Sequence, residues 1–86
     1  MKIYIIRIDG YNKSVPYFED WKPYVSHFSP SNLGTTSNPV YAKFWLTKKS
    51  AERNAKKAVE YLKNLYHPHP SATSKVLEIE FTILNP

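Results

Sequence analysis

The stretch from Thr47 to Tyr66 constrains the fold more than any other part of the chain. Ala51, Ala55, Ala58, Val59, Leu62, Leu65 and Tyr66 recur at spacings of three and four, which places them on one face of a helix. Lys49, Arg53, Lys56, Lys57, Glu60 and Lys63 fall on the opposite arc. Thr47 has N-cap chemistry, because its hydroxyl can accept from a first-turn N–H. His67-Pro68-His69-Pro70 closes the helix, since proline cannot continue the hydrogen-bond ladder. A chain of 86 residues forms one domain, residues 1–86, and buries only ~60–65% of its unfolded surface. The apolar stripe of this helix must therefore cover a sheet.

The strands are read from β-branched and aromatic runs. Lys2 to Ile8 is apolar on both faces, which predicts a central strand, and Asp9-Gly10 ends it with turn chemistry. Val40 to Leu46 predicts a second strand. Lys75 to Leu84 alternates, with Leu77, Ile79, Phe81 and Ile83 expected on the buried face and Val76, Glu78, Glu80 and Thr82 on the wet one. Between the first two, prolines at 16, 23, 30 and 39 exclude a long helix. Six aromatics between Tyr11 and Phe28 predict a segment folded onto the sheet rather than a disordered linker. Within it, Pro16 to Pro23 and Pro23 to Pro30 echo one another, too briefly for a repeat architecture. Ser29 to Pro39 reads as a polar loop with Gly34 as a turn residue. The expected fold class is α+β: a small mixed sheet of three to four strands covered by one amphipathic helix, in the order β, irregular, β, α, β. If the last two strands are parallel neighbours, the helix is a right-handed crossover. A fourth strand would come from the aromatic segment.

Several classes of function are disfavoured. The sequence has no cysteine, so neither disulfides nor thiolate metal sites can supplement the core. Met1 to Ile8 contains Lys2 and Arg7 and does not read as a signal peptide, and no apolar run approaches the ~18 residues of a membrane span. A cytoplasmic protein without membrane association is the expectation. There is no glycine-rich phosphate loop, nucleophile elbow or zinc-binding His-Glu helix. The chain is therefore expected to be no enzyme and to need no cofactor or metal.

Charge is the informative property. The net charge is +5, from twelve Lys and Arg against seven Asp and Glu. Between Val40 and Tyr66 lie Lys43, Lys48, Lys49, Arg53, Lys56, Lys57 and Lys63 against only Glu52 and Glu60. That window accounts for the whole excess, and a localised positive field points to an anionic partner. The bland alternative is a solvated face of good helix formers. Lys48 and Lys49 favour function, because a cation in the first turn opposes the macrodipole at a cost of roughly 0.3 kcal/mol or more. Thr-Lys-Lys-Ser is instead a plausible anion seat. With only Arg7 and Arg53 as arginines, bidentate reading of guanine edges is disfavoured, and contacts should go mainly to the nucleic-acid backbone.

Trp21, Tyr24 and Trp45 lie beside Lys22 and Lys43 and are candidates for stacking unpaired bases or anchoring a protein interface. Phe18, Phe28, Phe44 and Phe81 read as core. His67 and His69 read as a solvated connection, since two histidines alone do not make a metal site. Glu78 and Glu80 read as the wet face of an edge strand, with a metal-dependent nuclease as a weak rival.

The opening Met-Lys-Ile-Tyr-Ile-Ile-Arg-Ile, the aromatic and proline-rich middle and Phe44-Trp-Leu-Thr-Lys-Lys-Ser-Ala51 resemble small early accessory proteins of T-even-like bacteriophages. The resemblance implies a protein that binds and disables host machinery or host defences, including the ribonuclease toxins of toxin–antitoxin systems. It transfers no functional residues. Together these readings give a non-enzymatic inhibitor that engages RNA, other nucleic acid or a ribonucleoprotein through a basic helix face, with a host protein as target. The alternative is a pure protein–protein inhibitor or homo-oligomeric module without nucleic-acid affinity.

Overall fold

A computed structural model of the protein describes residues 1–12, 22–29, 32–66 and 68–80. It contains strands β1 (Lys2–Asp9), β2 (Tyr24–Ser29), β3 (Asn32–Thr36) and β4 (Thr73–Glu80), a short 3-10 turn (Pro39–Tyr41) and one helix, α1 (Lys48–Lys63). The four strands form one sheet in the order β3-β2-β1-β4, and every ladder is antiparallel. One helix covering a four-stranded sheet is the α+β architecture expected of the sequence.

α1 forms as its residues dictate. The Thr47 hydroxyl accepts from the Ser50 N–H at 3.2 Å, satisfying one of the first-turn donors that a helix leaves without partners. Asn64 ends it, donating from its backbone to Glu60 and Tyr61. Ala51, Ala55, Ala58 and Leu62 are buried. Three of these four are alanines, so little side chain separates the helix from the sheet, and Ile6, Ile8, Val25 and Leu33 meet it from the strands.

β1 is central, as its two apolar faces require. Its whole length pairs with β4, from Lys2 opposite Glu80 to Asp9 opposite Thr73. Gly10 then turns the chain at φ +81°, where a Cβ would collide with the Ser71 carbonyl. Only glycine reaches that conformation without cost.

Several expectations are corrected. Val40 to Leu46 is not a strand. Pro39 lacks an N–H for a ladder, and the Asn38 side chain accepts from Val40 N at 3.0 Å, which initiates the 3-10 turn. Beyond it Trp45 makes an isolated bridge, through two backbone bonds with Tyr4, and the Lys43 N–H donates to the Val25 carbonyl. Within the expected polar loop from Ser29 to Pro39, Asn32–Thr36 form β3. Gly34 is no turn residue but lies within β3 opposite His27, beside a register shift in β2. With no strand at 40–46, α1 is not a parallel crossover. The echo in the proline-rich segment is half β2, and residues 13–21, including Tyr17 and Phe18, lie outside the described residues.

The burial of β4 follows the expected alternation only in part: Leu77 is half-buried and Glu78 and Glu80 are exposed as expected, but Val76 is half-buried too. Val76 stands opposite Ile6 and packs against the helix-side core, whereas Ile79 is exposed. Alternation alone defines two faces but does not say which one the helix covers. Phe81 and Ile83 lie outside the described residues. His69 is no solvated connection: it is fully buried.

Candidate nucleic-acid interface

The helix face carries its charge in two rows of different character. Lys48, Glu52, Lys56 and Glu60 follow one another at intervals of four and alternate in sign, with Lys63 after them. Neighbours at that spacing meet on a helix surface, and Lys48 reaches Glu52 at 4.0 Å. Two glutamates offset most of the positive charge of this row. The other row is Lys49, Arg53 and Lys57, cations only, one about every 6 Å along the axis. All three are exposed, and none makes an ion pair among the described residues. Like charges at this spacing destabilise a helix by roughly 0.2–0.5 kcal/mol per pair. Helix stability therefore does not explain the second row.

The cationic row ends at an aromatic hollow. Lys57, Asn54 and Tyr61 from α1 and Phe28 and Ser29 from β2 line a depression of ≈ 310 Å³. The Phe28 and Tyr61 rings meet edge to face at 6.3 Å, and both are half-buried. Sequence reasoning missed this pair. Phe28 packs against the core as expected and also borders this hollow, while Tyr61 carries no sequence signal beyond standing one turn after Lys57. Their meeting depends on the β2–β3 ladder, which the sequence did not reveal.

The other predicted residues are distributed as follows. Lys48 is engaged with Glu52. Lys56 and Lys63 lie on the flank facing β4. Lys43 sits over the Trp45 ring at 5.7 Å, and its backbone N–H donates to Val25 at 2.8 Å. Trp45 packs half-buried against the core, where it supports the approach to α1 and presents little ring for stacking. Tyr24 is on the sheet face away from the helix, beneath the Arg7 guanidinium at 5.7 Å. Trp21 lies outside the described residues. The anion seat at the first turn is weakened, because Thr47 already takes the Ser50 N–H. The flank of the helix rather than its end carries the site.

The described acidic residues form no centre. Arg7 holds Asp9 at 3.2 Å, and this partnership raises the guanidinium pKa further. Glu78 is met by Lys2 at 3.8 Å and by the Tyr4 hydroxyl at 3.3 Å. Partial desolvation, followed by the Glu78 carboxylate, pushes the Tyr4 phenol up. Among the described residues no group of three or more metal-ligating side chains exists, and no helix is long and apolar enough to cross a membrane. Comparison with known proteins finds no matching protein family, no matching curated protein and no matching solved structure.

Proposed function

We propose that this protein is a non-enzymatic binding module that holds single-stranded nucleic acid, RNA foremost, against the outer flank of α1. One observation carries the reading: an unrelieved row of three cations leads directly to an aromatic hollow. Lys49, Arg53 and Lys57 contact successive phosphates, and an unpaired base rests against Phe28 and Tyr61. Backbone contacts dominate, so sequence preference is weak. Following the resemblance to phage accessory proteins, we assign this binding to the inhibition of a host defence or host enzyme, such as a ribonuclease toxin.

Anisotropy of a labelled random-sequence RNA tests it at low salt. Arg53→Glu with Lys57→Glu should weaken binding by at least about tenfold, since each lost charged contact is worth roughly 1–3 kcal/mol. Tyr61→Leu keeps the packing but removes the stacking ring. It should weaken RNA binding while leaving heparin, a polyanion without bases, unaffected. No RNA binding by the natural chain at low salt would refute the proposal.

A second reading has its own observation. Val40, Tyr41 and Leu46 are 81%, 72% and 69% exposed, beside a hollow of ≈ 250 Å³ lined by Ile3, Ile5, Phe44 and Ile79. Such a contiguous apolar surface suits a protein interface. Under this reading Tyr41→Asp with Leu46→Asp abolishes inhibition of the host target and spares RNA binding.

A further inference from the structure

The flank of α1 opposite the aromatic hollow overhangs the edge of the sheet. β4 is an outermost strand of the sheet, so alternate residues direct backbone N–H and C=O groups outward, with no strand beyond them among the described residues. It pairs with β1 through eight consecutive residues without a bulge, and it contains no proline. Proteins that must keep such an edge closed shorten it, kink it or charge it. The charges on β4 gather towards its C-terminal end, at Glu78 and Glu80. Its first half, Thr73 to Leu77, has only Lys75, which the pleat directs away from the helix face occupied by Val76.

Beside that half runs a groove of ≈ 610 Å³. Ala55, Val59, Ala72 and Val76 form its apolar floor. Along the rim stand three lysines and two glutamates: Lys48 and Glu52 neutralise one another, whereas Lys56 and Lys63, with Glu60 between them, make no ion pair among the described residues. The site thus joins three complementary elements among the described residues: a row of backbone hydrogen-bonding groups, an apolar floor and a rim whose two unpaired lysines, Lys56 and Lys63, leave it with a small positive excess.

We propose that this groove is a strand-addition site for an extended peptide segment of a partner protein, in which acidic residues stand two positions to either side of an apolar one. The segment pairs with the outer edge of β4 as a fifth strand. Every second side chain then faces the helix flank, with side chains on one face about 6.7 Å apart. An apolar one rests on Ala55 and Val59, and its carboxylate neighbours two residues away reach Lys56 and Lys63. Main-chain bonds provide affinity and the alternate side chains provide selectivity. The site shares no side chain with the Lys49, Arg53 and Lys57 row, so it stands whether or not the protein binds nucleic acid.

The probe is a displayed random heptapeptide library selected against the natural chain, followed by titration of the best peptide into isotope-labelled protein. Enriched sequences should carry acidic residues two positions to either side of an apolar one, on the same face of the strand. Amides at alternate positions from Thr73 to Leu77 should shift and gain exchange protection. Methylating the peptide's edge-facing amide nitrogens should abolish binding, while methylating those of the other phase should leave it. Val59→Arg should cost about tenfold or more, in the range of an interface hot spot. Lys56→Glu with Lys63→Glu, both on exposed side chains, should reverse the acidic preference without disturbing the fold. An absence of enrichment would overturn the proposal, as would tolerance of both methylation phases. The same β4 amides shifting with protein concentration in the absence of peptide would identify a second copy as the occupant. An RNA oligonucleotide that displaced the peptide and moved these amides would identify nucleic acid instead. Either outcome would refute the peptide reading.

Discussion

His69 shows how much one residue can depend on its surroundings. It follows the stop of α1, and its backbone N–H donates to Leu62 at 3.0 Å, which draws it under the helix. There its Nδ1 accepts from the Asn12 backbone at 2.8 Å, and the Tyr11 ring meets it edge-on at 5.6 Å. Burial pushes its imidazole below the usual 6.5. The unfolded chain therefore binds a proton that the folded chain resists, and stability falls as pH drops below about 6.5. The slope cannot exceed about 1.4 kcal/mol per pH unit for one group, and it levels off below the depressed folded-state value. Urea unfolding between about pH 7 and 5 should show this decline, and His69→Gln, which retains an acceptor, should flatten it. At this scale some of the protein was legible in the sequence. Gly10 and Thr47 act through their own backbone and hydroxyl, so local chemistry identified them. His69 is buried by contacts with Leu62 and Asn12, which no local pattern could show.

Among the elements, α1 was the most legible and β3 the least. Seventeen consecutive residues from the Thr47 cap to Lys63 repeat one period, whereas Asn-Leu-Gly-Thr-Thr offers a single buried side chain, Leu33. A five-residue strand with a glycine at its centre has no detectable alternation, and only pairing with β2 makes it a strand. The helix also allows its stability to be set against its binding. Lys49 opposes the macrodipole in the first turn and stands one turn before Arg53, a second cation. Lys49→Glu reverses both terms, since a glutamate preceding an arginine by four is a favourable pair. Thermal or urea unfolding should show a gain of about 0.5–1.5 kcal/mol. The same variant should bind RNA several-fold more weakly. A gain in stability with unchanged RNA affinity would mean that Lys49 is only a poorly chosen surface residue.

Across the whole molecule, the net +5 was visible at once, but its division was not. The sequence offers seven cations between Lys43 and Lys63. The fold separates them, with Lys43 over Trp45, Lys48 against Glu52, Lys56 and Lys63 at the β4 groove, and Lys49, Arg53 and Lys57 beside the aromatic hollow. Salt dependence counts how many of them meet phosphates. For a single strand, log affinity falls with log salt by about 0.7 for each phosphate neutralised. Three contacts give a slope near −2, or roughly a 15-fold loss between about 50 and 200 mM salt. A slope near −5 would instead mean that all seven cations act as one surface, and the division into rows would then have no bearing on binding. Arg53→Gln refines the count, because losing one of three contacts should reduce the slope by about 0.7. Lys56→Gln and Lys63→Gln should leave it unchanged, since the groove they border faces the sheet edge and not the hollow at Phe28 and Tyr61.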